Sequence, residues 1–273
     1  MDGWSVVRCR RCGLLRTWPL PSAQLLRELY DDPSYVEART AADPQAWALR
    51  AEQIISALPE APLAVLDFGA SRGHLVRALR GLGLTALGVE PSPAARAIAL
   101  DSHGVELHAE LADLSSQRFD AVSMLHSLEH VEEPVATLTA LREMLSSGGS
   151  IFIEVPHAGS ADMWIPRSRR AILDVPAHLH HFTPATLRFV VERAGFAVLR
   201  TQVFNSLPVE AALARRRRSQ RRSSMASGAA TKAAPGAARS PSGNGRGTRI
   251  DLLHELLRAR LPGPKFQLIA RRG

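Results

Sequence analysis

The chain has 273 residues, of which 45% are hydrophobic and 22% charged, as in a folded protein long enough to bury a core. Its apolar runs fall short of the ~18 residues that cross a bilayer, and its N-terminus lacks the pattern of a signal peptide. These features argue against a secreted or integral membrane protein, and we expect a cytoplasmic one. With only two cysteines, a disulfide framework is excluded.

The first 60 residues are predicted to form half of a zinc knuckle followed by a helical cap. Cys9 and Cys12 have the Cys-x-x-Cys-Gly spacing of such a knuckle, but zinc needs four ligands and no second cysteine pair follows. Two alternatives stay open: a site completed by a pair upstream of Met1, and two free thiols. Zinc at Cys9 and Cys12 is therefore doubtful. Gln24–Tyr30 and Trp47–Leu58 are the predicted cap helices.

From residue 61 to residue 206 the chain alternates apolar strands with helices. The predicted strands are Leu63–Phe68, Thr85–Glu90, Val105–His108, Phe119–Leu125, Ser150–Val155 and Phe196–Phe204. The predicted helices are Leu75–Leu82, Pro93–Leu100, Pro134–Leu145, which is closed by Gly148-Gly149, and Pro184–Ala194. Alternation of this kind predicts an α/β core whose parallel sheet is covered on both faces.

Most of the positive charge lies in one segment near the C-terminus. The formal net charge is +8, but Arg215 to Arg249 holds ten cations and no acids, so the rest of the chain carries −2. Ser219–Thr248 is mostly Ser, Ala, Gly, Arg and Pro and cannot bury enough surface to offset its ordering entropy. We therefore predict a disordered basic insert over residues 207–249. Residues 250–273 predict a helix, Ile250–Leu261, and a final strand, Lys265–Ala270.

A glycine-rich turn after the first apolar strand is the sharpest signal in the sequence. Asp67 precedes Gly69 by two residues, and Gly73 opens the next helix. The spacing is neither Gly-x-Gly-x-x-Gly nor a phosphate loop, which disfavours a dinucleotide or a nucleoside triphosphate. Glu90 ends the second strand, where an acid accepts hydrogen bonds from ribose hydroxyls, so we predict a nucleoside site. In the alternative, the glycines form a plain turn and Glu90 caps a helix.

These motifs resemble the class I S-adenosylmethionine-dependent methyltransferases, in a bacterial small-molecule type with an N-terminal Cys-x-x-Cys remnant. The resemblance covers about residues 63–204 and resumes at the final strand. Its later blocks are Phe119–Val122, Leu128–Val131, Leu145–Gly149, His181–Pro184 and Ala194–Phe196. It implies a Rossmann-like sheet of seven strands, mostly parallel, with an antiparallel last strand and helices on both faces.

The resemblance also assigns residues to the cofactor, S-adenosyl-L-methionine. Six positions are expected to line it: Asp67, Gly69, Gly73, Glu90, Leu125 and His126. The first three would lie along the methionine part, Glu90 would hold the ribose, and the last two would face the methionine part and the substrate. Residues near 110–111 would flank the adenine.

Two histidine-rich stretches, His126–His130 and His178–His181, supply candidate proton acceptors, because imidazole titrates near neutral pH. His178–His181 is expected as a loop over the cleft, and the candidate catalytic bases are His130, His180 and His181. In the alternative, Glu129 and His130 only order their loop, since the Leu-Glu-His-Val turn accompanies varied chemistry. Related quinone-ring O-methyltransferases use Glu-x-x-Glu-His here for a divalent metal. His126 replaces the first of those glutamates, so no metal is assigned.

The sequence therefore predicts methyl transfer to a small-molecule substrate, on a hydroxyl of a sugar or a secondary-metabolite intermediate. One alternative is an RNA methyltransferase that uses the arginine-rich insert. A nucleic-acid partner is not expected, because the remainder of the chain is net acidic and no aromatic residues interleave with the arginines. A second alternative is a non-catalytic protein that binds S-adenosylmethionine. No membrane partner is expected, and the sequence does not define an oligomeric state.

Overall fold

The structure is a computed structural model that describes residues 3–32, 43–204 and 265–273. The predicted basic insert and the predicted helix Ile250–Leu261 lie outside the described residues. The strands are β1 (Ser5–Arg8), β2 (Leu15–Trp18), β3 (Ala64–Phe68), β4 (Thr85–Val89), β5 (Phe119–Leu125), β6 (Leu145–Pro156), β7 (His180–His181), β8 (Phe196–Val203) and β9 (Lys265–Arg272). The helices are α1 (Ala23–Tyr30), α2 (Pro44–Ala57), α3 (His74–Gly81), α4 (Pro93–His103), α5 (Pro134–Met144), α6 (Pro166–Leu173) and α7 (Pro184–Arg193).

The main sheet has the strand order β4-β3-β5-β6-β9-β8. Its first four strands are parallel, and β9 runs antiparallel to both of its neighbours, β6 and β8. The Rossmann-like sheet and the antiparallel last strand are therefore confirmed. The third predicted strand, Val105–His108, forms only one parallel bridge, from His108 to Val89. The described sheet thus has six strands and one bridge where seven strands were predicted.

Helices cover both faces of this sheet, as predicted. On one face, Ile54 of α2 and Leu79 of α3 pack in a cluster with Val65 of β3. On the other face, Leu138 of α5 packs in a cluster with the next residue of β3, Leu66. Neighbouring strand residues point to opposite faces, so a strand buried on both sides must be apolar throughout. Within the described residues, no helix is long and apolar enough to cross a membrane.

Two predictions in the C-terminal half of the chain, one of a helix end and one of a loop, differ from the structure. Gly148 and Gly149 were predicted to close the preceding helix, but α5 ends at Met144 and the glycines lie within β6. The β5–β6 register shifts beside them, and Gly148 has a positive φ of 76° that glycine adopts without strain. His178–His181 was predicted as a loop, but His180 and His181 form β7.

A second, three-stranded sheet has the order β1-β2-β7. The hairpin of β1 and β2 pairs with β7 through Leu15 and Arg16, which lie opposite His181 and His180. The N-terminal hairpin is therefore joined directly to the chain segment that follows β6.

We expect removal of residues 265–273 to unfold the sheet, because β9 lies between β6 and β8. Phe266, Leu268 and Ile269 are almost fully buried. Burying a large apolar side chain contributes about 1.5–3 kcal/mol, and total stability is only ~5–15 kcal/mol. Thermal unfolding followed by circular dichroism checks this.

The control for this deletion replaces Ser219–Thr248 with a short Gly/Ser linker. Its melting temperature should stay within a few degrees, because closure entropy grows only with the logarithm of loop length. Equal melting temperatures of the two variants would contradict the place given to β9.

Candidate active site

The glycine-rich turn connects β3 to α3 and packs against the loop that follows β5. Gly69 has a φ of 78°, and a Cβ built on it would lie 2.3 Å from Ser127 Oγ. Gly73 has a φ of 71° and is the residue that precedes α3. Both positions therefore require glycine because of their positive φ. Gly69 requires it also because Ser127 leaves no room for a Cβ. The contact fixes the spacing between two loops at the carboxyl edge of the sheet.

Asp67 is a buried carboxylate on β3, next to the centre of the sheet. It is 4% exposed, and Ser123 Oγ of β5 donates a hydrogen bond of 2.8 Å to its Oδ1. Burial raises the pKa of Asp67 to about 7, with a contribution from the negative charge of Glu90, while the Ser123 hydrogen bond acts in the opposite direction. Asp67 is thus sensitive to any cationic group that binds nearby.

Glu90 follows β4 and accepts hydrogen bonds from two backbone N–H groups. The donors are Ser71 of the glycine-rich turn, at 2.8 Å, and Ser92, at 2.9 Å. Burial raises the pKa of Glu90, while both hydrogen bonds act to lower it. The structure therefore brings Glu90 to the glycine-rich turn, as the nucleoside interpretation requires. Its predicted ribose contact stays a prediction.

His126 lies just after β5 with both ring nitrogens facing carboxylates. Its Nδ1 is 3.4 Å from Glu129 Oε1 and its Nε2 is 3.3 Å from Glu154 Oε1. Carboxylates only accept hydrogen bonds, so this placement favours a doubly protonated ring. Burial acts to lower its pKa, but the hydrogen bonds and charges of Glu129 and Glu154 dominate and raise the pKa of His126 to about 9. His126 also has a positive φ of 53°, a strained conformation for a residue with a Cβ.

Glu154, on β6, was not singled out from the sequence although it organises this edge of the sheet. It is 2% exposed and also accepts hydrogen bonds from Arg50 of α2 and from Lys265 and Gln267 of β9. Burial acts to raise its pKa, but His126 and the surrounding cations hold the pKa of Glu154 far below its usual value. A lone acid within the apolar run of a buried strand was the signal that could have revealed it. Leu125, a predicted cofactor residue, pairs with Glu154 across the two strands.

His130 lies in the 3-10 turn Leu128–His130 beside Tyr30, His178 and Ala177. Its Nδ1 is 2.9 Å from Ala177 O and 3.1 Å from Tyr30 Oη. Its ring makes edge contacts with those of Tyr30 and His178, at centroid distances of 5.5 and 4.8 Å. Tyr30 was not predicted as a site residue, because it reaches His130 from a distant part of the chain.

Within the described residues, Glu129, His130 and His178 form a group of donors that could hold a divalent cation. Each offers one ligand atom, and these atoms all lie within 4.8 Å of one another. Glu129 is 1% exposed, and its Oε1 lies 3.4 Å from His126 Nδ1 and 4.0 Å from His178 Nε2. Burial acts to raise its pKa, but His126 and the other nearby imidazoles lower the pKa of Glu129 to about 2. The carboxylate is therefore ionised and faces imidazole rings.

His180 and His181, the other two candidate bases, are buried in β7. They are 5% and 3% exposed, and burial lowers their pKa values to about 4 and about 3. Thr17 Oγ1 donates to His178 O at 2.6 Å, so it accepts from His181 Nε2 at 3.1 Å. The two neutral histidines lie beside the turn that carries His130, since Leu179 N donates to Glu129 O at 2.8 Å, but they are more deeply buried than His130.

Comparisons with known proteins agree with this geometry. A family described as "Methyltransferase domain" matches residues 40–201, more than half of the chain. The chain belongs to this methyltransferase-domain family. This match confirms the resemblance of the motifs to the class I methyltransferases, whose cofactor is S-adenosylmethionine. The methyltransferase domain is thus established for the part of the chain that contains the glycine-rich turn, Glu90 and His130.

The methyltransferase domain is similar to proteins of several activities. Over 162 residues it is 29% identical to a ubiquinone biosynthesis O-methyltransferase of Dinoroseobacter shibae, a match that covers 53% of this chain and 65% of the relative. The chain therefore matches less than two thirds of that relative's length. A methyltransferase of Archaeoglobus fulgidus has the same fold, with a TM-score of 0.56, 18% identity and coverage of 84% of this chain and 94% of that one.

A phosphoethanolamine N-methyltransferase of Haemonchus contortus, solved in complex with S-adenosyl-L-methionine, also shares the fold of the methyltransferase domain. Its TM-score is 0.57 at 16% identity, with coverage of 94% of this chain and 62% of that one. The residues present here fit such a cofactor. Two acids, Asp67 and Glu90, lie at neighbouring strand ends and suit its ammonium, sulfonium and hydroxyl groups, and the glycines leave the turn without side chains.

The Cys-x-x-Cys turn lies outside the matched residues, between β1 and β2. Cys9 N donates to Leu14 O and Gly13 N donates to Cys9 O, both at 2.9 Å. Hydrogen bonds from the backbone N–H groups of Cys12 and Arg11 lower the pKa of the Cys9 thiol. Among the described residues no third His, Cys, Asp or Glu ligand converges on the pair. Cys9 and Cys12 are free cysteines in the described part of the chain, and zinc at this turn stays a doubtful prediction.

We expect Gly69→Ala to abolish binding of S-adenosylmethionine. The added Cβ clashes with Ser127 and the residue is forced to keep a φ of 78°, so the two loops must separate. Isothermal titration calorimetry measures the loss. Gly83→Ala is the control, because Gly83 also has a positive φ, of 83°, but has no atom within 4 Å of its Cβ position. Equal cofactor affinity in both variants would contradict the role given to the Gly69 contact.

We expect the stabilising contribution of His126 to depend on pH. Its pKa is raised from 6.5 to about 9 on folding, so its contribution is complete below pH 6.5 and is lost as pH rises through 9. His126→Gln should therefore lower the melting temperature at pH 6 and have little effect at pH 9.5. Differential scanning fluorimetry across this range checks the trend. A difference that is constant with pH would show that His126 is not held as a cation.

Proposed function

We propose that this chain transfers the methyl group of S-adenosylmethionine to a hydroxyl of a small-molecule acceptor. The acceptor class that we propose is a sugar or a secondary-metabolite intermediate. A hydroxyl of a quinone precursor is the second candidate, and it is favoured by the similarity to a ubiquinone biosynthesis O-methyltransferase. Both candidates are O-methylations, which need a bound sulfonium cofactor and a group that takes the proton of the hydroxyl.

The cofactor half of this proposal is supported by the edge of the sheet formed by β3 and β4. S-adenosylmethionine supplies an electrophilic methyl group when bound. Glu90 is the residue that we assign to the ribose hydroxyls, and Asp67 supplies negative charge behind the glycine-rich turn. Leu125 and His126, at the end of β5, are the residues assigned to the side from which the acceptor approaches.

His130 is the group that we assign as proton acceptor, and its hydrogen bonds carry the proposal. Its Nδ1 lies 2.9 Å from the carbonyl oxygen of Ala177, which can only accept. This contact favours a proton on Nδ1, and in the neutral ring Nε2 then holds a lone pair that can accept one. A base whose other nitrogen is fixed by an acceptor is the arrangement that general-base catalysis uses.

The other histidines suit this role less well. His126 faces two carboxylates, and its raised pKa keeps it protonated at neutral pH. His180 and His181 are buried and belong to the small sheet. We therefore assign His126 to the positioning of Glu129 and Glu154, and assign β7 to the support of the N-terminal hairpin.

The two alternatives make different demands on the molecule. An RNA substrate would need a cationic surface, but the chain outside residues 215–249 has a net charge of −2. A protein that only binds the cofactor would not need a histidine with a fixed tautomer beside the end of β5. The small-molecule O-methyltransferase is therefore the function that the described residues support best.

The first test of the proposal is cofactor binding. S-adenosylmethionine should bind with micromolar affinity, about −8 kcal/mol. Glu90→Gln keeps the shape of the side chain but removes its charge, and should weaken binding by roughly 2–3 kcal/mol through the lost charge-assisted hydrogen bonds. Calorimetry on both proteins measures this. No binding by the unaltered protein would remove the cofactor assignment, and equal binding by Glu90→Gln would remove the ribose role alone.

The second test is turnover, followed as release of S-adenosylhomocysteine with a nucleotide sugar and with 3,4-dihydroxybenzoate as acceptors. His130→Gln should lower kcat by ~100-fold with little change in cofactor affinity, because only proton removal is lost. His103→Gln is the matched control, since His103 is half-buried at the end of α4 and its ring contacts His74 and Arg77 of α3. Full turnover by His130→Gln would refute the assigned base. Turnover that occurs only on bulk RNA would favour the first alternative.

A further inference from the structure

Tyr30 lies at the end of α1 and forms a closed triangle of polar contacts with the proposed base. Tyr30 Oη is 2.9 Å from Ala177 O and 3.1 Å from His130 Nδ1, and Nδ1 itself is 2.9 Å from Ala177 O. Residue 30 is 100 positions away from residue 130 in the chain. The contact is thus made by the fold and not by local sequence.

The donors and acceptors in this triangle allow one arrangement of protons. The carbonyl oxygen of Ala177 accepts from both the Tyr30 hydroxyl and the Nδ1–H of His130. Because the hydroxyl proton points to Ala177, the lone pairs of Tyr30 Oη are left to face Nδ1–H. Tyr30 and Ala177 together therefore favour the Nδ1–H tautomer of His130, in which Nε2 is free of a proton.

Two rings also hold the plane of the His130 imidazole. The Tyr30 ring meets it at 88° and the His178 ring meets it at 76°. His178 is fixed in turn by its own Nδ1, which is 2.9 Å from Ile172 O. Orientation and tautomer of His130 are thus set by the same neighbours.

The end of α1 is also tied to the loop that contains Glu90. Ser92 Oγ lies 2.7 Å from Asp31 Oδ1 and 3.2 Å from Tyr30 O, and Ser92 N donates to Glu90 Oε1. The helix therefore contacts both halves of the site, the loop assigned to the ribose and the loop that carries His130. A short helix with two such anchors cannot shift without disturbing one of them.

We propose that Tyr30 is a positioning residue for the methyl transfer, supplied by the N-terminal segment to fix the tautomer and orientation of His130. Tyr30 lies outside residues 40–201, so this contribution is separate from the matched domain. The inference rests on the proposed function, in which His130 accepts the proton of the acceptor hydroxyl. In this proposal α1 orients His130 in addition to covering the site.

The test is Tyr30→Phe, which removes the hydroxyl and keeps the ring contact. We expect kcat to fall roughly tenfold, the loss of one hydrogen bond, with the KM for S-adenosylmethionine unchanged. Glu28→Gln, an exposed change on the same helix, is the control and should leave the rate unaltered.

A second readout does not depend on activity. Nitrogen-15 NMR of the histidine rings should show the Nδ1–H tautomer for His130 in the unaltered protein and a mixture of tautomers in Tyr30→Phe, with His130→Gln used to assign the signal. An unchanged tautomer together with an unchanged kcat in Tyr30→Phe would overturn the inference. If His130→Gln retains full turnover, the assigned base falls instead, while the NMR result still decides whether Tyr30 positions the ring.

Discussion

A single buried carboxylate, that of Glu154, joins the parts of the molecule that form the site. Ionised and almost without solvent contact, it must be compensated by partners or its burial would cost several kcal/mol. Its four partners come from three places: Arg50 from α2, His126 from the loop after β5, and Lys265 and Gln267 from β9. The position of His126, and through it that of Glu129, thus depends on a helix before the sheet and a strand at the end of the chain. Loss of any one partner leaves this buried charge less well compensated.

The elements that could be predicted correctly from the sequence are those specified by residues close to one another in the chain. Asp67, Gly69 and Gly73 lie within seven residues, and the turn that they form follows from the backbone freedom of glycine. β9 was predicted from six residues, and its antiparallel direction followed from the resemblance. By contrast, β7 exists only because its two histidines meet β2, more than 160 residues earlier. No local pattern carries that information, so a loop was the natural prediction.

The same distinction explains the site. Glu90 could be predicted because it ends a strand next to the glycine-rich turn, and neighbouring parallel strands end at the same edge. The contacts of Tyr30 with His130 and of Arg50 with Glu154 each join residues about 100 positions apart. Which histidine is a base and which a cation depended on those neighbours, since all histidines look alike in a sequence. The sequence identified the candidate histidines, and their neighbours in the folded structure distinguish the role of each one.

The position of β9 has a consequence for how the protein is made. Its neighbours β6 and β8 both precede it in the chain, and β9 pairs with β6 over seven residues, from Ser150 opposite Arg271 to Pro156 opposite Lys265. While the ribosome is still synthesising the segment after Val203, β6 and β8 have no strand between them and expose unpaired backbone groups. Exposed strand edges of this kind are where nascent chains pair with one another. The time needed to synthesise the long segment before Lys265 therefore sets how long these strand edges stay exposed. Chaperone protection is accordingly most important at the end of translation.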